Sequence, residues 1–298
     1  MRVIIKIILL DRITVYEKGK GNTMKNIKRT GIIALILVFT LSFLTACGGG
    51  GEEASEDKVI RVAASPTPHA EILNSISAAL AEEGWTLEVV EFDDYVQPNV
   101  ATTDGDVDAN YFQHVPYLDQ YNAENGTDLV AVADVHYEAM GAYKGTKDSF
   151  DALEDGDKIA VPNDVTNEAR ALQLLAANGV ITLKDGVGLE ATKLDIVDKP
   201  KNIEIVELEA ATIPSALPDV AIGVINANYA LGAGLTTDDA VAYETADSEA
   251  AETYVNVIVV NAGNENSEKT QALIAAIQTD AVKDFILNTY NGAVQPKF

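Results

Sequence analysis

Arg170 is one of only two arginines after Cys47, the other being Arg61. It closes the stretch Val161-Pro162-Asn163-Asp164-Val165-Thr166-Asn167-Glu168-Ala169-Arg170. A strand ends there at Pro162-Asn163-Asp164, and a helix is predicted from about Thr166 to Asn178. Arg170 then falls in the first turn, where the helix dipole disfavours its own charge. A bound carboxylate at the same place is favoured by both dipole and guanidinium. A surface salt bridge is the plain alternative.

Four more clusters lie at predicted strand ends: Phe92 to Asn99, Asp108 to Leu118, Val224 to Ala230, and Tyr254 to Asn256. Their aromatics, Tyr95, Phe112 and Tyr117, suit an ordinary core as well as a pocket. His114 suits a hydrogen-bonded structural histidine as well as a contact to a ligand. Asn167, Asn226 and Asn256 offer amide groups to a ligand, but asparagine is commonest in turns.

The elements that must hold these residues alternate. Val59 to Ala64 and Thr86 to Phe92 read as strands around a helix carrying Ile72, Leu73, Ile76 and Leu80 on one face and stopping at Gly84. That order argues for a parallel α/β layer. Ile159–Val161, Ile203–Leu208, Val220–Ile225 and Val255–Val260 are further strands. One long helix over about Ser267 to Thr289 follows, with Leu273, Ile277, Ala281 and Phe285 inward. Open α/β sheets take ligands at the carboxyl ends of their strands. The expectation is an α/β chain of two lobes with the ligand in the cleft between them. The lobes are 58–140 with 255–298, and 141–254, joined by crossings near Ala139–Gly145 and Asn226–Asn256.

Before these lobes the chain reads as an address. From Met24, the basic Lys25, Lys28 and Arg29 precede an apolar run of 13 residues, Ile32 to Leu44. That is short of the roughly 20 residues a membrane span needs and suits a secretory signal. Leu44-Thr45-Ala46-Cys47 follows, with the chain's only cysteine, and resembles a lipobox whose cysteine is lipidated. The signal is then 24–46, and Cys47 with the glycine-rich, acidic segment to Asp57 is a flexible tether. Residues 1–23 stand upstream of a complete signal, so translation is expected to start at Met24. Of 21 basic and 46 acidic residues, 8 and 2 fall before Cys47, leaving 13 and 44 in the exported part. So acidic a surface repels nucleic acid.

The motifs NYFQH-x-PYL (Asn110 to Leu118), VPND-x-TN-xx-R (Val161 to Arg170) and VINANYA (Val224 to Ala230) carry a resemblance. From about Lys58 to the C-terminus the chain resembles the methionine-binding lipoproteins, the MetQ-like members of the NlpA lipoprotein family. The resemblance implies a two-lobed periplasmic-binding-protein type II fold that delivers methionine to the permease of an ABC importer and, through it, to the ATPase subunits. It implies no cofactor, no catalytic residue and a lipid anchor on the outer face of the cell membrane.

The resemblance puts Tyr95, Phe112, His114 and Tyr117 around the thioether, where aromatic rings favour a polarizable sulfur. Asn167 and Arg170 would hold the carboxylate, which a guanidinium can grip with two hydrogen bonds. Asn226 and Asn256 would take the ammonium. Val165 stands where many relatives have proline, and Glu168 adds an acid, so D-methionine, a methionine-containing dipeptide or another small amino acid stays open.

Two rival chemistries fare worse. A metal carrier would draw on His69, His114 and His136, the only histidines, and all three precede the second lobe. An enzyme would need a nucleophile or a phosphate cradle. Cys47 is committed to the lipid, and no such motif occurs.

Overall fold

The computed structural model describes residues 58–298, Ala246 excepted. The expected signal, Cys47 and the tether to Asp57 lie outside the described residues. No helix among the described residues is long and apolar enough to cross a membrane.

The first half runs β1 (Val59–Ala64), a helical turn at Pro66–Ala70, α1 (Glu71–Ser75), α2 (Ser77–Glu82), β2 (Thr86–Glu91), α3 (Gln97–Asp104), β3 (Ala109–His114), α4 (Val115–Asn125) and β4 (Leu129–Glu138). The middle holds β5 (Gly141–Lys144), β6 (Lys158–Pro162), α5 (Val165–Ala177), β7 (Thr182–Leu183), β8 (Ile196–Asp198), β9 (Glu204–Leu208), α6 (Ile213–Ala216), β10 (Ile222–Ile225), α7 (Ala227–Gly232) and β11 (Ala240–Tyr243). The chain ends with α8 (Glu249–Thr253), β12 (Val255–Asn261), α9 (Glu268–Ile277), α10 (Asp280–Thr289) and β13 (Val294–Pro296).

Beside the two-stranded pair β7-β8, the described residues form two large sheets, one per lobe, in the orders β13-β4-β12-β3-β1-β2 and β11-β5-β10-β6-β9. Both are mixed, not wholly parallel. β1 pairs parallel with β2 and β3, whereas β12 runs antiparallel between β3 and β4. β6 pairs parallel with β9 and β10, and β5 runs antiparallel to β10 and β11. The strands that follow each passage between the lobes, β5 and β12, pair antiparallel with their neighbours. Because β5 and β11 both belong to the second sheet, the chain passes between lobes at Ala139–Met140 and returns through Glu244 to Tyr254.

Each lobe has its own core. Ile72, Leu73, Ile76 and Leu80 are all buried against β1 and β3, despite the break between α1 and α2 at Ile76. Burial of side chains this size stabilises by about 1.5–3 kcal/mol apiece. The second lobe packs Ile159, Leu172, Leu175, Ile181 and Val224.

The expected long C-terminal helix is two helices. Thr279 takes an extended conformation, and its side chain accepts from the Val282 N–H, capping α10 with Asp280 in the first turn. The break turns the second half. Leu273 and Ile277 are buried as expected, but Val282 and Ile286 replace Ala281, which is exposed, while Phe285 packs at the core's edge.

Candidate functional site

A cavity lies between the lobes. All eight expected side chains line it: Tyr95, Phe112, His114, Tyr117, Asn167, Arg170, Asn226 and Asn256. They arrive from both sheets. β3 supplies Phe112 and His114, the start of α4 supplies Tyr117, and β12 supplies Asn256. From the other lobe α5 brings Asn167 and Arg170, and Asn226 ends β10 as the N-cap of α7.

Local sequence explains the placement. β3 is buried at every position although four of its six residues are polar. Asn110 and Gln113 survive there because they bond to Asn99 and Thr102 of α3. Asn110 Nδ2 donates to Thr102 Oγ1 at 2.7 Å, and Gln113 Nε2 donates to Asn99 Oδ1 at 2.6 Å. A closed network of this kind avoids the cost of buried unpaired amides. His114 ends the strand and caps α4: its Nδ1 accepts from the Tyr117 N–H at 3.2 Å. The imidazole proton therefore sits on Nε2, 3.2 Å from Asn167 Oδ1. Burial, with Arg170 nearby, lowers the His114 pKa to about 3, so the ring is neutral.

Asn167 is held on several sides. Its Oδ1 also accepts from Asn226 Nδ2 at 2.7 Å, and its Nδ2 donates to Asp164 Oδ1 at 2.8 Å. Asp164, the N-cap of α5, also accepts from the Asn167 N–H. Asn226 Oδ1 is buried and has no hydrogen-bond partner among the described residues.

Arg170 differs from its sequence expectation in two ways. Helix α5 starts at Val165, so Arg170 lies in the second turn, beyond the reach of the dipole at the N-terminus. Nor is it a surface residue: it is 3% exposed and pairs with a carboxylate the sequence did not nominate. Its Nε donates to Glu244 Oε1 at 2.9 Å and its Nη2 to Glu244 Oε2 at 2.6 Å. Nη2 also donates to the Glu138 carbonyl at 2.7 Å. The rings of Tyr254 and Tyr137 flank the guanidinium, with centroids 4.3 and 5.7 Å away. Burial opposes the charge, and the Glu244 carboxylate more than offsets it, holding the pKa above the ordinary arginine value. Among the described residues Nη1 makes no hydrogen bond.

His69, Gln113, Glu138, Ala227 and Asn228 also line the cavity, and the sequence did not single them out for it. Glu138 is the most consequential. His136 Nε2 lies 2.7 Å and His69 Nε2 3.2 Å from its Oε1, and Tyr111 Oη meets His136 Nδ1 on the far side. His69 Nε2 also bonds Asn256 Oδ1 at 2.9 Å. Burial raises the Glu138 pKa, with His69 and Arg170 working against the rise. The same burial lowers His69 to about 4 and His136 to about 3. Two neutral imidazoles thus face one buried carboxylate. His69, His136 and Glu138 are also spaced to hold a metal ion. All three belong to one lobe and already form a hydrogen-bonded chain.

A closed cleft lined from two mixed sheets, each in its own lobe, defines the periplasmic-binding-protein type II class. Comparison with known proteins agrees. The family model for NlpA lipoprotein matches residues 60–298. The D-methionine-binding lipoprotein MetQ of Salmonella typhimurium is 41% identical over 252 residues, 84% of this chain and 91% of that protein. A crystal structure of a lipoprotein from Ruminococcus gnavus superposes with a TM-score of 0.80 at 58% identity, covering 81% of this chain and all of that one. A nutrient-binding protein from Burkholderia cenocepacia, solved bound to methionine, gives 0.76 at 41% identity, covering 80% of this chain and 100% of that one. The chain belongs to the NlpA lipoprotein family.

Proposed function

We propose that this chain is the substrate-binding lipoprotein of an ABC importer and that it captures methionine in the cleft between its lobes. The observation that carries the reading is the charge pattern of the cavity. Arg170 is neutralised by Glu244 but keeps Nη1 unengaged. Glu138 is a buried carboxylate whose Oε1 alone takes the two imidazoles. Among the described residues Asn226 Oδ1 is an acceptor without a donor. A free amino acid supplies the missing groups: a carboxylate for Arg170 with Asn167, and an ammonium for Glu138, Asn226 and Asn256. Burying either charge unpaired would be prohibitive, so the two ends fix the orientation. The side chain then points at Tyr95, Phe112, Tyr117 and His114, a lining that suits a thioether. The relatives' names and the methionine-bound neighbour support the same ligand. The site offers capture and no chemical step.

The same proposal extends to the rest of the chain. Lobes at 58–140 with 255–298, and at 141–254, close on the ligand and present it to the permease and its ATPase subunits. Cys47, lipidated after removal of 24–46, tethers the protein to the outer face of the cell membrane. Mass spectrometry of the mature N-terminus should find a diacylated Cys47, and a membrane-bound form that keeps residues 1–46 would overturn the anchor. Mass spectrometry of ligand carried through purification, without refolding, should release methionine. Methionyl dipeptides, or a different amino acid, in its place would sink the ligand assignment. A dipeptide is the second reading, and it requires the cleft to open wider than it stands here.

A further inference from the structure

At the rim of the cavity, two adjacent residues of one lobe grip one turn of the other. Asn228 and Tyr229 lie in the first turn of α7, behind β10. Tyr95 lies in the turn between β2 and α3, in the opposite lobe. Asn228 Oδ1 accepts from the Tyr95 hydroxyl at 2.6 Å. The Tyr229 hydroxyl donates to the backbone carbonyl of Asp93 at 3.0 Å. The two tyrosine rings stack with centroids 4.9 Å apart, tilted by 37°. Tyr95 is tied to its own lobe as well, because the Tyr117 hydroxyl donates to its carbonyl at 2.9 Å. Tyr229 does not line the inner cavity. It lines an outer one, with Pro66, Thr67, Asp93 and Pro214, so it stands at the partition between the two.

We infer that Asn228 and Tyr229 form a clamp that completes the aromatic wall of the pocket only as the lobes close, and so couples closure to recognition of the ligand's apolar arm. This inference rests on the proposed function. When the lobes part, residues 228 and 229 withdraw from Tyr95 and its hydroxyl loses its acceptor. The ring is then held on one side only, by Phe112 and Tyr117 at centroid distances of 6.0 and 5.9 Å. A ligand shifts the closing equilibrium only by contacts that differ between the two states. A side chain long enough to reach Tyr95 gains such a contact, and alanine does not. Tyr229 is thus a positioning residue. It touches no ligand and acts through Tyr95.

The test compares the ligand-free parent with Tyr229→Ala and Tyr229→Phe, titrated with methionine and with alanine by calorimetry, with release followed by stopped flow. Tyr229→Phe keeps the stacked ring and loses the bond to Asp93, so a simple failure to fold is separable from loss of the clamp. Tyr229→Ala should weaken methionine by about tenfold, mostly through faster release, and should weaken alanine much less. The methionine-to-alanine ratio should fall, with Tyr229→Phe between the two. Equal losses for both amino acids, or no loss, would overturn the clamp while leaving the function intact. A parent that does not bind methionine would sink both.

Discussion

Arg170 and Glu244 meet as a two-pronged pair, with Nε and Nη2 each donating to one carboxylate oxygen at 2.9 and 2.6 Å. Glu244 begins the return crossing. Its Oε2 also accepts from the Tyr137 hydroxyl at 2.8 Å and from the Met140 N–H at 2.9 Å, and its own N–H donates to the Met140 carbonyl at 3.0 Å. One carboxylate therefore ties both passages between the lobes to the guanidinium at the cleft. The pair is desolvated, at 3% and 8% side-chain exposure.

Removal of one partner from such a pair costs about 3–5 kcal/mol, because a buried charge is left behind. Arg170→Ala should thus lose stability as well as ligand, although alanine suits a helix. Methionine affinity should fall by at least about a hundredfold, and Arg170→Lys should restore only part of it, because lysine lacks the planar fork. The double variant Arg170→Ala/Glu244→Ala should recover stability and not binding. Denaturant melts and calorimetry on the three variants decide it. A double variant that binds methionine as the parent does would remove Arg170 from the site.

Selectivity should follow the aromatic lining. The thioether arm adds roughly three methylene equivalents to alanine, at about 0.8 kcal/mol each. Methionine should therefore bind about fiftyfold more tightly than alanine, at about 1.4 kcal/mol per tenfold. Leucine, branched where methionine is straight, should fall between. Equal affinities by calorimetry would reject a pocket shaped for the arm.

The residues that were legible in the sequence sit where a strand ends or a helix begins. Asn167 and Arg170 follow a broken strand, Tyr117 follows a histidine cap, and Asn226 follows an apolar run. Their partners were not legible for a physical reason. Glu244 lies in the acidic segment Glu244-Thr245-Ala246-Asp247-Ser248-Glu249, which reads as a solvated loop. It meets Arg170 across 74 residues of chain, and pattern reading has no term for such a contact. Glu138 ends the ten-residue strand β4, whose mixed polar and apolar residues mask its last side chain. The C-terminal helix was misread because apolar spacing runs through Thr279-Asp280, although threonine before aspartate is a cap signal. The polar, fully buried β3 defeats hydrophobic patterning altogether. Its stability depends on the network with Asn99 and Thr102.

The three histidines should stay neutral well below their ordinary range. Burial lowers His69 to about 4, His114 to about 3 and His136 to about 3. In the unfolded chain each takes up a proton near pH 6.5. As pH falls from about 6.5 toward 4 the unfolded state therefore binds more protons at these sites, and their contribution to stability is lost on acidification. The slope is at most about 1.4 kcal/mol per pH unit for each histidine. Glu138, raised by burial, acts in the opposite direction, so the measurement must be differential. His136→Gln should lose less stability than the parent between pH 6.5 and 4.5, read from denaturant midpoints. Imidazole resonances that titrate near pH 6.5 in the folded parent would contradict the buried network.

Closure should be visible in size and nearly invisible in tryptophan fluorescence. Hydrogen bonds cross the cleft at the pocket, among them Tyr95 to Asn228, Tyr229 to Asp93, His114 to Asn167 and Arg170 to the Glu138 carbonyl. They form only with the lobes together, and the chain connecting the lobes is just two short passages, a geometry that suits a hinge. Trp85, the only tryptophan, is 8% exposed in the first lobe's core, with Lys58 Nζ 4.1 Å from the ring centroid. It does not line the cavity, so its surroundings should not change as the lobes move. Methionine should reduce the radius of gyration in small-angle scattering and leave the emission maximum in place. Asn228→Ala should need more methionine to reach the same compact state, because it leaves the Tyr95 hydroxyl without its acceptor, at a cost of about 1–3 kcal/mol where that group stays buried. Scattering curves that coincide with and without methionine would mean that the lobes do not hinge on the ligand, and the cross-cleft bonds would then belong to a permanently closed body.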